Sequence, residues 1–208
     1  MGSAGLTCTA RGGEELSMRE TTKAHDRRKR AGYFHRYLKG NGVDVGCGDD
    51  PLKVPEGKVL AYDRLIDPAH DAQTLADLPD DHFDFLYSSN CLEQVEWPAR
   101  ALVNWIRVVK PGGYVFFTVP DEDLYEQGFW PSRFNADHQW SWTMHKNVSN
   151  MPRSINLLHW LTQFCGTARI LSVQLTDTNY DYSVSKADQT LKDAEAFIEV
   201  ILQKRRHL

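Results

Sequence analysis

A short apolar run ending in two closely spaced glycines, followed almost at once by a second apolar run ending in an acid, limits this chain's folds more than any other feature. Gly42-Val43-Asp44-Val45-Gly46-Cys47-Gly48-Asp49-Asp50 has the hydrophobicity of a buried strand up to Val45. From Gly46 to Gly48 it has the freedom of a tight turn, where missing Cβ atoms let the backbone approach a ligand. Lys58 to Asp63 (KVLAYD) reads as the next strand, and Asp63 stands 17 residues beyond Gly46. In doubly wound α/β folds an acid at that place grips the two hydroxyls of a ribose.

The spacing also says which nucleotide. Only nine residues separate Gly48 from Lys58, and Pro51 and Pro55 are among them. No ordinary crossover helix fits there, so no helix N-terminus is offered to a pyrophosphate. Pro51 occupies the place of the third glycine of a dinucleotide fingerprint, and Asp49 and Asp50 would repel phosphate. The ligand that fits carries ribose, cationic groups and no phosphate. S-adenosylmethionine, an adenosine with a sulfonium and an amino acid tail, meets this description. Asp44, Asp49 and Asp50 suit its cations.

Downstream, strands and helices keep alternating. His82 to Tyr87 is a strand ending in Ser88-Ser89-Asn90. Pro98 to Lys110 is a helix with Leu102, Trp105, Ile106 and Val109 on one stripe, broken by Pro111-Gly112-Gly113. Tyr114 to Val119 is a strand buried on both faces. Ser154 is placed to cap a helix whose apolar face is Leu157, Leu158, Leu161 and Phe164. Residues 170–175 and 196–202 read as strands joined by a polar loop with no full crossover, which favours antiparallel pairing. The predicted fold is α/β: a Rossmann-like, mostly parallel sheet with an antiparallel last strand, helices on both faces and a shortened first crossover. Residues 1–17 read as a leader and 18–208 as one domain.

Charge and cysteine usage narrow the partners. Lys plus Arg number 24 against 28 Asp plus Glu, a net charge of −4 that does not favour nucleic acid. Lys23, Arg27, Arg28, Lys29, Arg30 and Arg36 cluster before the first strand and read as a solvated helix face rather than a phosphate-binding arm. Cys8, Cys47, Cys91 and Cys165 have no metal spacing, so no metal site is read. They are expected as reduced thiols in a cytoplasmic protein, with Cys47 and Cys91 small packed residues. No run approaches 18 apolar residues, so no membrane span is expected. The oligomeric state stays open.

VDVGCGDD, AYD, LPDDHFDFLYSSNCLEQ and RVVKPGGYVFFTVP, in that order, resemble the successive motifs of class I S-adenosylmethionine-dependent methyltransferases, of the type that includes small-molecule and glycan-modifying enzymes. The resemblance spans roughly residues 32–205. It implies that Gly46, Cys47 and Gly48, with Asp44 beneath them, line the methionine end of the cofactor and that Asp63 holds the ribose. It implies Asp71-Ala72 at the adenine, after a very short third strand, with Leu75-Ala76 the alternative, and Ser89 and Asn90 facing the reacting methyl. The product would be S-adenosylhomocysteine. Two places where the family often carries histidine hold Asn90 and Gln94. The irregular stretch 121–152 follows the fifth strand, where the family carries acceptor-binding elements, and is read as an acceptor lid. Its Tyr125, Phe129, Trp130, Trp140 and Trp142 either wall a pocket or pack the loop down. His138 is the candidate catalytic base, His145 the weaker choice. The acceptor implied is a small-molecule or glycan hydroxyl. The alternatives are a non-catalytic cofactor-binding module and an RNA methyltransferase that uses the basic N-terminal helix.

Overall fold

The computed structural model describes residues 19–206; residues 1–17, read above as a leader, and Cys8 lie outside them. Four strands pair in parallel: β1 (Gly40–Val45), β2 (Gly57–Tyr62), β3 (Phe83–Ser89) and β4 (Val109–Pro120). With β7 (Ala168–Thr176) and β8 (Phe197–Lys204) they form one sheet of order β2-β1-β3-β4-β8-β7. As expected from the short final connection, β8 runs antiparallel to both its neighbours, β4 and β7. The chain leaves β1 toward β2 on one side and returns to β3 on the other. That reversal opens a crevice at the carboxyl ends of β1 and β3, the place where open α/β sheets bind ligands.

Strand alternation sends side chains to two cores. Phe83 and Leu86 of β3 and Val115, Phe117 and Val119 of β4 meet α3 (Pro98–Val108) through Leu102, Trp105 and Ile106, and α4 (Leu157–Leu161) on one face. Phe85, Tyr87 and Phe116 point the other way, onto Phe34 of α2 (Tyr33–Arg36) and Leu38. Helices therefore cover both faces. α1 (Glu20–Arg30) precedes α2, and Gly32, at φ +74°, separates the two helices. Among the described residues no helix is long and apolar enough to cross a membrane.

Both early crossovers are stripped down. No helix lies between β1 and β2, as the nine-residue spacing required. None lies between β2 and β3 either, and the short strand expected before Asp71 is missing. Side chains of α3 hold this bare loop in place. The Trp105 indole donates to the Ala72 carbonyl (2.7 Å), Asn104 to Gln73, and the Arg107 guanidinium to the carbonyls of Thr74, Leu75 and Leu78. These bonds satisfy carbonyls that a helix would otherwise have satisfied internally.

Two further expectations are corrected. Asn156, not Ser154, caps α4 by accepting from the His159 amide; Ser154 belongs to β6 (Ser154–Asn156), which pairs in parallel with β5 (Ser141–Thr143). Leu158 is exposed and Trp160 is buried in its stead. The basic stretch is not simply a solvated face. Lys23 donates to Glu20 and to the carbonyls of Thr190 and Ala194, Arg27 grips Glu195 and Glu199, and Arg28, fully buried, pairs with Glu199 and Tyr87. Half of the cluster thus locks α1 onto the sheet and its C-terminal strand.

Candidate functional site

The turn after β1 is built as the sequence required. Gly46 (φ +72°) donates to the Tyr62 carbonyl, and a Cβ placed on it would lie 2.4 Å from the Cys91 sulfur. At Gly48 (φ +53°) an added Cβ would meet nothing within 4 Å, so this glycine faces open space. Its amide donates to Asp63 Oδ2 at 3.0 Å, while Leu65 donates to Oδ1 at 2.8 Å. The glycine turn and the acid of the next strand are thus one hydrogen-bonded unit. An ionised carboxylate has about four lone-pair positions, so Asp63 keeps acceptor capacity for two hydroxyls.

Asp44 lies beneath this unit with no exposure; Oδ2 accepts from the Leu52 amide (2.7 Å) and Oδ1 has no partner among the described residues. Burial, aided by the nearby acids Asp50 and Asp63, pushes its carboxyl up to about 8. A buried acid with an unmet oxygen beside a glycine floor is a place for a cation. The same burial, with Asp44 and Asp63 nearby, pushes the Cys47 thiol up to about 12, which fits a packed residue and not a nucleophile. Asp49 and Asp50 do something the sequence did not suggest. Asp50 accepts from the Thr22 amide and hydroxyl, and Asp49 pairs with Arg19, so both tether the start of α1 and do not stand free for a ligand's cations.

Asp44 gives a signed pH prediction. Its folded value lies above the unfolded one of 3.8, so from pH 4 to 8 the folded state holds a proton that the unfolded chain has lost. Stability of the ligand-free protein should therefore decline as pH rises through that window. Asp44→Asn should flatten the decline, raising the melting temperature at pH 8.5 and not at pH 4, while weakening cofactor binding. Melting curves taken from pH 4 to 9 check this; a decline of equal steepness in the variant would exclude Asp44 as its source.

At the place read for the adenine, Asp71 accepts from the Gln73 amide, and its own amide donates to the Tyr62 hydroxyl oxygen. Leu75, in the left-handed region at φ +43°, is sealed in the core with no exposure. Asp71 and Ala72 are both half-buried, whereas in the alternative pair Leu75 is buried and Ala76 exposed. At the end of β3, Asn90 adopts φ +49°, a conformation asparagine tolerates. Its amide donates to the Thr118 carbonyl, and its side-chain oxygen accepts from the Thr118 hydroxyl at 2.9 Å, which also lies 3.2 Å from Ser89 Oγ. Thr118 thus fixes both residues assigned to the reacting methyl. Sequence reading missed it, because it looks like one more residue of a buried strand.

The 121–152 stretch is latched onto the turn that follows Asn90. The amides of Gln139 and Trp140 both donate to the Glu93 carbonyl, Gln139 Nε2 to Gln94 and the Trp140 indole to Val95. His138 is only 7 % exposed. Its Nδ1 lies 2.6 Å from Glu126 Oε1 and its Nε2 3.7 Å from Glu93 Oε1, with both glutamates buried. In the Nδ1–H tautomer the ring would donate to Glu126 and keep Nε2 as its acceptor, on the side of Glu93. His145 is exposed and belongs to no such arrangement among the described residues. Trp142 is fully buried packing, and Tyr125 stacks edge-on with Phe134. Glu126 carried no sequence signal, being one acid in an acidic run twelve residues before His138.

A parallel-dominated sheet, a glycine turn bonded to the next strand's acid and no phosphate helix define the methyltransferase class of nucleotide-binding fold. The family described as "Methyltransferase domain" matches residues 19–164, and the chain belongs to it. An uncharacterized methyltransferase of Schizosaccharomyces pombe is 30 % identical over 137 residues, covering 50 % of this chain and 49 % of that protein. The chain therefore spans about half the length of this curated relative. A Haloferax volcanii methyltransferase solved with the Trm112 methyltransferase activator superposes with a TM-score of 0.55 at 14 % identity, covering 88 % of this chain and 92 % of that one. The Haemonchus contortus phosphoethanolamine N-methyltransferase 2, solved with S-adenosyl-L-methionine, gives 0.52 at 13 % identity, covering 88 % and 53 %. At such identities these likenesses establish the fold alone.

Proposed function

We propose that the chain transfers the methyl group of S-adenosylmethionine to a hydroxyl of a small-molecule or glycan acceptor. The observation that carries the cofactor is the Gly48–Asp63 hydrogen bond at the β1/β3 crevice, with open space above Gly48 and the unmet Asp44 oxygen below. Asp63 would hold the ribose, Asp71 and Ala72 the adenine, and Gly46, Cys47 and Gly48 the methionine end. Asp44 would balance its positive charge, and Ser89 and Asn90, braced by Thr118, would face the methyl. The cofactor supplies a methyl on a sulfonium leaving group. The chain's own residues supply position and a dry site, which dominate an in-line displacement.

His138, with Glu126 orienting it, is the group that would take the acceptor's proton. Because its imidazole is sealed beneath the latch, an acceptor reaches Nε2 when residues 138–140 lift from the Leu92–Gln94 turn. The nucleic-acid reading is weakened by the intramolecular pairs of Lys23, Arg27 and Arg28. A screen for S-adenosylhomocysteine formation with phenols, nucleotide sugars, lipid alcohols and tRNA tests the proposal. Accumulation with a hydroxyl acceptor, and none with cofactor alone, is expected. Cofactor binding without turnover on any of them would favour the non-catalytic module, and turnover on tRNA alone, falling steeply with salt, the RNA reading.

A further inference from the structure

Three of the chain's six tryptophans meet at one cleft that the methyl-transfer reading does not use. Trp97, Pro98 and Arg100, at the start of α3, face Trp140, Ile155 and Trp160 across a cavity of about 460 Å³. That volume lies within the usual ~300–1,000 Å³ of small-molecule sites. With residues 138–140 seated on the Leu92–Gln94 turn, its walls are held in place. Trp160 is wedged edge-on between Trp142 (5.2 Å) and Phe164 (4.9 Å), and the Trp140 indole is tied to the Val95 carbonyl at 3.1 Å. Trp97 is the exception in burial: it is 57 % exposed, although its amide is pinned to Gln73 Oε1 at 2.7 Å. A large apolar ring left in water on a pinned backbone gains stability when something covers it.

Charge says what covers it. Arg100 lines the cleft, and the Arg153 guanidinium lies 5.5 Å over the Trp140 ring. Neither arginine has an ion-pair partner among the described residues, and no acid lines the cleft. Flat indole walls favour a flat apolar body, and unpaired guanidinium groups favour an anion beside it. We propose that this cleft is a binding site for a small aromatic anion, an aryl carboxylate or aryl sulfonate in chemical class. The site stands independently of the methyl-transfer reading. Through Gln73 and Val95 it is nonetheless bonded to the segments next to the adenine and methyl positions, so its occupant would brace both.

The probe is 8-anilinonaphthalene-1-sulfonate, followed by its fluorescence and by calorimetry on the full chain, with neutral N-phenyl-1-naphthylamine as the uncharged comparison. Saturable binding of one sulfonate per chain is expected, with tryptophan emission quenched. Trp97→Ala should weaken both probes about 10-fold, the loss of one stacking wall. Arg100→Glu should weaken the sulfonate and spare the neutral probe. Trp97 and Arg100 are both exposed, so both variants should melt as the wild type does, with S-adenosylmethionine binding unchanged. Sulfonate binding that is unsaturable, or unaffected by either substitution, overturns the proposal. Equal losses for both probes in Arg100→Glu overturn its anionic part. Loss of S-adenosylmethionine binding in the wild type would instead count against the function proposed above and leave this site standing.

Discussion

Arg28→Ala is expected to cost about 3–5 kcal/mol of folding stability, the usual penalty for removing one partner of a buried ion pair. Arg28 has no exposure, and Glu199, its partner at 2.9 Å, is buried too. The guanidinium also lies 5.3 Å from the Tyr87 ring and 5.0 Å from that of Phe116, so the variant leaves a cavity as well as an ill-matched acid. Burial alone would raise the Glu199 carboxyl, but Arg28 and Arg27 outweigh it and hold the carboxyl below the usual range. A depressed acid stabilises above its unfolded value of 4.5 and loses that contribution as pH falls through the folded one. Wild-type stability should therefore drop in acid, and the drop should shrink in Arg28→Ala. The double change Arg28→Met with Glu199→Leu should recover most of the loss, because Arg27 keeps Glu195. Denaturant midpoints at pH 7 and pH 4 measure all of this. A loss under about 1 kcal/mol, the median worth of a surface pair, would show that the ion pair does not anchor α1.

The second large effect concerns His138. His138→Ala should leave cofactor affinity intact and lower turnover about 10²- to 10⁴-fold, the range of general-base catalysis. Glu126→Gln is the sharper test. Its amide can donate to Nδ1 and so move the ring proton to Nε2, removing the base while keeping the side chain's shape. Nitrogen-15 spectra of labelled histidine should show Nδ1 protonated in the wild type and Nε2 protonated in Glu126→Gln, with turnover falling in step. Unchanged turnover with normal cofactor affinity would take His138 out of the chemistry. Activity and melting temperature falling together would make it a packing residue.

Particular residues explain what was and was not legible in the sequence. The mostly parallel sheet and the antiparallel β8 followed from local rules: apolar runs, glycine breaks and a final connection without a crossover helix. The glycine turn and acid of the crevice proposed for the cofactor were legible because Gly46, Gly48 and Asp63 act through backbone conformation and spacing, which sequence displays directly. Asp49 and Asp50 misled, because an acid beside a glycine turn looks the same whether it faces a ligand or caps a helix 28 residues away. Lys23, Arg27 and Arg28 misled for the same reason: their partners lie about 170 residues downstream, beyond the reach of any local pattern. Glu126, Glu93 and Thr118 acquire their roles only when β3, β4 and the loop after β4 come together.

The central claim is that the β1/β3 crevice binds S-adenosylmethionine through Asp63. Calorimetric titration of the full chain tests it most directly. One cofactor molecule should bind per chain, NAD should not bind, and Asp63→Ala should weaken S-adenosylmethionine about 10- to 100-fold, the worth of charge-assisted hydrogen bonds of ~1.5–3 kcal/mol. Tight NAD binding, or S-adenosylmethionine affinity unchanged in Asp63→Ala, would contradict it.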